Sequence, residues 1–522
     1  MTRLCELWNV IMHSAIIPIL CLLATKQSVS ARSINDDLLT SDFKEKLIAE
    51  ELQHYTGVNL ELSNEEQKVN DILMKYKFKE IDETFIHHSP LDFSKHYFTY
   101  KHYIEKSPVF QIIKKMPKGA ALHIHSSTML RPKDLLKLTY EDHLYACFSY
   151  DKYVDLQFSE NIPTRPCDMQ WALLSDLRKN SPDNGKDIDQ KLKSFFTLYT
   201  KEEELLNLNI NQIWDNFNYV HKSIKSLITY RPVREKYVYM TMERFYEDNI
   251  MYVEIRTGLH SLYELNGTEH HGMYLAELYK RVSDEFIKEY PDFLGLKIIL
   301  ARGRMSDIDR IQEGLIFAEK LKNDIPEIFV GFDLVGQEDL GRPLSDFKQI
   351  LFEAKGLDYF FHAGETKWLG TTSDENLFDA FELGSKRIGH GYALIKHPSL
   401  VDHVLKNDIP IEVNVISNVV LKLVSDVRNH PLATYLAMGV PVVLSSDNPG
   451  AWESDPLSHD FYVTFMGVAS KKADLRLLKT LALNSIKYSA LNKIKKQQLY
   501  DIFDKKWKTF LSDVIRANCS SS

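Results

Sequence analysis

Two kinds of hydrophobic pattern divide the chain. Between about residues 36 and 106, apolar residues recur every three or four positions among many charged ones, as in residues 47–52 (LIAEEL) and 69–74 (VNDILM). This spacing predicts amphipathic helices. Because no catalytic group of residues falls within it, we interpret this part as a helical appendage for packing or dimerisation.

After residue 119 the pattern changes to short apolar runs separated by amphipathic helical stretches. Such alternation is typical of buried parallel strands joined by crossover helices. The predicted strands are residues 120–125, 251–256, 294–300, 329–334, 359–363, 386–389, 409–415 and 440–445. Eight strands of this kind predict an α/β fold of the (β/α)8 TIM-barrel type.

A long gap separates the first two predicted strands. It covers about 125 residues, more than one crossover helix requires, and therefore predicts an insertion. Its first part, about residues 135–190, has polar turns and contains Cys147 and Cys167, whereas residues 191–248 return to helical spacing. In an oxidising compartment the two cysteines could close a loop of about 20 residues, which would contribute about 3 kcal/mol. Two buried free thiols are the alternative.

The N-terminus has the features of a secretory signal peptide. An apolar run from about residue 10 to 24 leads to the small residues 29–31, which suit cleavage before Arg32. A membrane anchor is the alternative, but Pro18 and polar residues interrupt the run, which falls short of the roughly 20 apolar residues that span a bilayer. In a secreted chain, Asn266 and Asn518 would be glycosylation acceptors.

Length and composition set the scale of the molecule. At 522 residues the chain exceeds the size of one hydrophobic core, so smaller units should accompany the barrel. We predict a signal peptide over residues 1–31, an N-terminal helical domain over 32–108 and a barrel over 109–522. The net charge of −8 argues against a nucleic-acid partner and favours a small neutral substrate.

Candidate metal ligands lie at the ends of four predicted strands. His123 and His125 end the first strand, and because alternate side chains share one face, both rings can reach one ion. A His-x-His pair alone is a weak signal. His362, His390 and Asp447 follow other strands at the end where barrel enzymes assemble their sites. Imidazoles and a carboxylate together predict a zinc site.

Several segments resemble the adenosine deaminase-related growth factors, a secreted branch of the adenosine deaminase family. The similar segments are residues 116–119 (MPKG), 331–336 (GFDLVG), 359–365 (YFFHAGE), 387–391 (RIGHG), 416–421 (ISNVVL) and 428–431 (RNHP). The resemblance covers nearly the whole mature chain. It implies a zinc enzyme that converts adenosine or 2′-deoxyadenosine to the inosine product and ammonia.

The resemblance also implies roles for individual residues. One zinc ion per subunit would be held by His123, His125, His362 and Asp447. Glu365 would protonate purine N1, and His390 would accept the proton of the attacking water. The predicted substrate-binding residues are Trp214, Gly336, Asn448 and Ser126, with Gly336 placed where the backbone approaches the purine. The N-terminal helices would form a homodimer, and the insertion would bind a cell-surface receptor or glycan.

Departures from the family pattern concern substrate recognition. Ser126 and Asn448 stand where the family has Asp residues that contact the ribose and the purine. Gly303 replaces a histidine, Gln337 replaces another, and Asn414-Val415 replaces Cys-Pro. Loss of two charge-assisted hydrogen bonds, if additive, would slow adenosine turnover by about two to four orders of magnitude. A secreted dimeric ligand with structural zinc, or an amidohydrolase with another purine or a non-nucleoside substrate, are the alternatives.

Overall fold

The computed structural model describes residues 42–86, 89–150, 152–201, 203–354 and 356–520. The predicted signal peptide lies outside these residues. The chain divides into two compact units, Met1–His54 and Tyr55–Ser522. The described part of the first unit contains helix α1 (Phe43–Leu52), none of whose side chains is buried.

The second unit contains both strands and helices. The strands are β1 (Gly119–His125), β2 (Leu144–Ser149), β3 (Tyr153–Phe158), β4 (Ala172–Leu173), β5 (Ile250–Thr257), β6 (Leu262–Tyr263), β7 (Glu269–His270), β8 (Leu296–Gly303), β9 (Phe329–Val335), β10 (His362–Ala363), β11 (Ile388–His390), β12 (Ile411–Val413) and β13 (Val442–Leu444). The helices are α2 (Asn64–Ile86), α3 (Tyr97–Ile104), α4 (Pro108–Lys115), α5 (Pro132–Leu138), α6 (Leu174–Asn180), α7 (Lys186–Ser194), α8 (Glu203–Leu206), α9 (Ile210–Ile228), α10 (Arg231–Glu247), α11 (Gly272–Glu289), α12 (Ile308–Asp324), α13 (Lys348–Glu353), α14 (Thr372–Glu382), α15 (Pro398–Asn407), α16 (Val415–Val420), α17 (Leu432–Met438), α18 (Ser458–Val463), α19 (Leu475–Lys487) and α20 (Lys493–Ser520).

Eight parallel strands form the predicted barrel. They pair as two sheets of four, β1-β5-β8-β9 and β10-β11-β12-β13. Parallel bridges between Phe332 and Tyr359 and between Ile124 and Asp447 join the two sheets at both edges. All eight predicted strands are confirmed. Those of the second sheet are two or three residues long, shorter than predicted. Residues beyond these bounds still make single backbone hydrogen bonds to the neighbouring strand, as between Lys386 and Tyr359.

The insertion after β1 is a small antiparallel sheet with its own helices. Strands β3, β2 and β4 pair in that order, and α6 and α7 follow them. Cys147 on β2 forms a disulfide with Cys167, so the predicted pairing is confirmed and the alternative of free thiols is wrong. Helices α9 and α10 then lead back to the barrel, as the helical spacing predicts.

Helices before and after the barrel pack on each other. Buried Lys77 of α2 donates to the carbonyl oxygens of Ser470 and Ala473, at 3.0 and 2.7 Å. Glu66 accepts hydrogen bonds from Lys479 and Trp507 of the C-terminal helices. These buried polar contacts fix α2 against the end of the chain. None of the described helices is long and apolar enough to cross a membrane.

Candidate active site

The four predicted metal ligands meet at the carboxyl-terminal rim of the barrel. His123 and His125 end β1, His362 begins β10, and Asp447 follows β13. The Nε2 atom of His125 lies 3.1 Å from Oδ1 of Asp447 and 3.3 Å from Nε2 of His362. The Nε2 atom of His123 lies 3.7 Å from the same carboxylate oxygen. His390 belongs to the same cluster, since its ligand atom lies within 4.8 Å of those of His123 and Asp447.

Two buried carboxylates orient the histidines. Glu412 is 2.7 Å from Nδ1 of His123, and Asp333 is 2.7 Å from Nδ1 of His362. A carboxylate only accepts, so each Nδ1 carries the proton and each Nε2 lone pair faces the cluster. Nε2 of His123 and Oδ1 of Asp447 are buried and have no hydrogen-bond partner among the described residues. The lone pairs of these two atoms could coordinate a divalent cation, and a site of nitrogen and oxygen ligands suits zinc.

A network of buried ion pairs fixes those carboxylates. Arg256 lies 2.6 Å from both Asp333 and Glu412, and Arg387 lies 2.5 Å from Glu412 and 2.6 Å from Glu254. Burial opposes charge on Asp333, but His362 and Arg256 hold the pKa of its carboxyl far below the usual range. The sequence pattern did not single out these residues. The one sequence feature that could have indicated them is a charged residue within a strand that is predicted to be buried.

Substitution of Glu412 by Gln should weaken both the fold and the metal site. A glutamine would keep the shape of the side chain but leave Arg256 and Arg387 without their shared anion, a change that typically costs about 3–5 kcal/mol. It would also remove the carboxylate behind His123, which should weaken metal affinity by about 10–100-fold. Denaturant unfolding and a metal-competition titration measure the two effects.

Glu382→Gln is the matched control for that substitution, because Glu382 lies on the surface of α14 and pairs with Lys348. It should change neither quantity. Metal affinity equal to that of the unsubstituted protein in Glu412→Gln would contradict the orienting role of Glu412.

Glu365 and His390 face each other beside the cluster, with Oε1 and Nδ1 3.3 Å apart. Glu338 accepts hydrogen bonds from the backbone N–H groups of Gly364 and Glu365, which fixes the start of this loop. Burial, together with the charges of Asp447 and Glu338, raises the pKa of Glu365 well above its usual range. Burial lowers the pKa of His390 well below the usual range. The pair is therefore a protonated acid beside a neutral base.

Two residues of the metal cluster have a left-handed backbone conformation. His390 and Asp447 adopt φ angles of 62° and 59°, which residues with a side chain rarely adopt. Such conformations persist where the surroundings enforce them, and they cluster at functional sites. Here they occur at two members of the metal cluster, one ending β11 and the other following β13.

The predicted substrate-binding residues have different environments. Ser126 lies on the wall of a cavity beside the cluster. Asn448 is buried, and its side-chain oxygen accepts a hydrogen bond from the Thr128 hydroxyl. Trp214 is half-buried, with its ring 5.5 Å from that of Phe217. Gly336 has a φ of 108°, and a Cβ there would meet no atom within 4 Å. The backbone conformation, and not a lack of space, accounts for glycine at this position.

A cavity of about 720 Å³ opens beside His125. Its walls come from the ends of β1, β5, β8 and β9 and from helices α9, α10 and α12, and they include Gly303. A volume of this order is typical of small-molecule sites. His125 is the proposed metal ligand that lines this cavity.

Comparison with known protein families gives two matches. A model described as "Adenosine deaminase" matches residues 187–506, and one described as "Adenosine/AMP deaminase N-terminal" matches residues 19–113. The first covers more than half of the chain.

Individual relatives match along most of their length. Adenosine deaminase 2 of Pongo abelii is 43% identical over 494 residues, which is 93% of this chain and 94% of that protein. Adenosine deaminase 2 of Homo sapiens is 42% identical over 510 residues, covering 95% and 98% of the two chains. Among solved structures, a Burkhoderia ambifaria amidohydrolase with bound Zn has a TM-score of 0.54 at 15% identity, covering 78% and 95% of the chains. That likeness concerns the fold alone.

Proposed function

Because the chain belongs to the adenosine deaminase family of metal-dependent hydrolytic deaminases, we propose that it uses zinc to convert adenosine and 2′-deoxyadenosine to the inosine product and ammonia outside the cell. The observation that carries this proposal is the meeting of a nitrogen- and oxygen-containing metal cluster with a protonated acid and a neutral base at one rim. Each of these three parts has a place in hydrolysis at carbon 6 of a purine.

The proposed metal ligands are His123, His125, His362 and Asp447. When bound there, zinc lowers the pKa of a coordinated water from about 16 to about 7. Glu412 and Asp333 keep two of the imidazoles in the tautomer that coordinates through Nε2. Ser417 donates to Oδ2 of Asp447 at 2.7 Å, which leaves Oδ1 for the metal.

Glu365 and His390 carry the protons in this proposal. Glu365 is protonated in its buried position and donates to purine N1, which makes carbon 6 more electrophilic. His390 is neutral and takes the proton of the attacking water, after which it can return a proton to the departing amino group. Opposite pKa shifts of two adjacent groups support this assignment of the acid and the base.

The purine and sugar would be bound by Trp214, Gly336, Asn448 and Ser126. Asn448 presents an amide in place of a carboxylate, and an amide can both donate and accept. Ser126 offers a short hydroxyl on the cavity wall. With two neutral groups in these places, we expect adenosine turnover to be slow.

The cellular context is also a proposal. The N-terminal pattern and the disulfide Cys147–Cys167 support secretion, because disulfides persist in oxidising compartments. The exposed side chains Leu47 and Leu52 of α1 support homodimerisation through the N-terminal helices. The disulfide-containing insertion would bind a receptor or glycan. Asn266 is exposed and would carry a glycan.

Restoring carboxylates at the two neutral positions should raise adenosine turnover. Each of Ser126→Asp and Asn448→Asp adds one charge-assisted hydrogen bond, so kcat/KM for adenosine should rise about tenfold or more. The change is measured by following the loss of adenosine absorbance with zinc-loaded protein. Ser194→Asp, which adds the same charge on the exposed surface of α7, should have no effect.

The neutral residues Ser126 and Asn448 favour a second function. A secreted dimeric ligand would keep zinc for structure and need no turnover. Absence of Glu365-dependent deamination of any 6-aminopurine in the zinc-loaded protein, even with both carboxylates restored, would contradict the deaminase proposal and favour this ligand.

A further inference from the structure

The cavity beside the metal cluster is strongly cationic. Its described lining includes Lys222, Lys225, Arg234, Arg302 and Arg310, and it includes neither Asp nor Glu. None of these five cations forms an ion pair with a carboxylate of the described residues. The chain as a whole has a net charge of −8, so this concentration of positive charge is local. A neutral nucleoside does not require it.

Arg234 is the most informative of these cations. Its residue is only 5% exposed, and its Nε and Nη1 atoms have no hydrogen-bond partner within the described part of the chain. The guanidinium lies 5.7 Å and 5.6 Å from the rings of Tyr237 and Tyr279. A buried charge with unmade hydrogen bonds is costly unless an anion satisfies it. Because Arg234 lies on the cavity wall, an anion that satisfied it would lie in the cavity.

The other cations contribute to one positive field. Burial lowers the pKa of Lys225, and the charges of Arg234 and Arg310 lower it further. Burial and the same group of cations lower the pKa of His260, also on the wall, to about 4. Arg302 donates to the carbonyl oxygens of Gly258 and Ala301, which leaves its charge unneutralised. Like charges repel one another here, and a bound anion would relieve that repulsion.

We propose that the preferred substrate is a 6-aminopurine nucleoside that bears a phosphate ester, with the phosphate bound by Lys225, Arg234 and Arg310. This inference rests on the proposed function, which places carbon 6 at the metal cluster. The cavity begins at His125 and Ser126 and extends to the cationic wall, so the sugar end of the nucleoside points toward these cations. Ser126 is uncharged and does not repel a phosphate. A phosphate ester has a charge of about −1.5 to −2 at neutral pH.

The test compares adenosine 5′-monophosphate with adenosine on the zinc-loaded full chain. We expect kcat/KM to be at least about tenfold higher for the monophosphate, and the advantage should fall as salt screens the charges. Lys225→Gln and Arg310→Gln, both at exposed positions, should each lower the monophosphate value by roughly tenfold. The adenosine value should fall much less. Ser126→Asp should shift the preference toward adenosine.

Lys236→Gln is the matched control. Lys236 lies on the same helix as Arg234, but it is exposed and pairs with Glu141 at 2.6 Å. Its substitution removes one positive charge away from the cavity and should alter neither kcat/KM value. Loss of the monophosphate preference in this variant would overturn the proposal.

A binding measurement separates this inference from the proposed function. Calorimetric titration with inosine 5′-monophosphate and with inosine should show tighter binding of the monophosphate, and Lys225→Gln should remove the difference. If neither adenosine nor its monophosphate is deaminated but this difference in binding holds, the deaminase proposal fails and the phosphate site stands. If inosine binds as well as its monophosphate and adenosine is the better substrate, the phosphate site is wrong. The phosphate site is also wrong if Lys225→Gln and Arg310→Gln leave binding of the monophosphate unchanged and weaken only binding of a sulfated oligosaccharide.

Discussion

Glu365→Gln is expected to lower kcat for deamination by roughly 10²–10⁴-fold, the usual contribution of a general acid. Gln has the size of Glu and can donate a hydrogen bond, but it cannot deliver a proton to purine N1. Burial, Asp447 and Glu338 keep the Glu365 carboxyl protonated in the folded enzyme by raising its pKa. Glu338 bonds to the backbone at residues 364 and 365, so its contacts survive the substitution.

Steady-state kinetics and metal analysis on the same preparation check this expectation. The variant should bind metal and unfold like the unsubstituted protein, while turnover falls. Glu382→Gln on the surface of α14 is the control and should retain full turnover. Turnover in Glu365→Gln within a few-fold of the unsubstituted protein would contradict the assignment of the acid.

The pH profile gives a second test of the same residue. The carboxyl of Glu365 must be protonated to act, so activity that depends on it is present below its folded pKa and is lost as pH rises through that value. With an ordinary carboxyl pKa near 4.5, this activity would already be lost before the rising pH reached neutrality. Because the pKa is raised well above that value, we expect kcat to be sustained to a higher pH than an exposed Glu would permit.

The barrel and the metal cluster could both be predicted from the sequence, for a local reason. Each strand is a short apolar run, and each chemical group lies at the end of such a run, as with His125, His362 and Asp447. The topology of a closed parallel barrel then brings those ends to one rim. The disulfide followed from two cysteines 20 residues apart within one insertion.

The residues that support the cluster could not be predicted in the same way. Glu412 contacts His123 across 289 positions and Arg256 across 156. Such contacts depend on which strands become neighbours and in what register. The spacing of residues along the chain does not predict them. The cationic cavity has the same origin, because Lys225, Arg234 and Arg310 lie on three different helices. The expectation of a neutral substrate rests on the net charge, which averages over the whole chain and does not report a local concentration of cations.

Asp447→Asn is expected to abolish metal binding and turnover while the fold survives. Asp447 has a φ of 59°, and Asn is one of the few residues that adopt this conformation with little strain. The substitution therefore keeps the backbone and the side-chain shape, and it removes the only negative charge among the proposed ligands. Residues that merely orient a ligand change metal affinity by about 10–100-fold, so loss of a ligand should weaken it by more than roughly a hundredfold.

Metal titration followed by thermal unfolding measures this effect. A metal present at 100 times its dissociation constant stabilises a folded protein by about 2.7 kcal/mol, so the unsubstituted protein should gain stability with zinc and lose it with a chelator. Asp447→Asn should respond to neither. Asp408→Asn is the matched control, since Asp408 also has a left-handed backbone, with φ of 52°, but lies exposed at the end of α15. Full metal binding in Asp447→Asn would contradict the assignment of Asp447 as a ligand, because the amide keeps the shape of the side chain but loses the negative charge and one of the two acceptor oxygens.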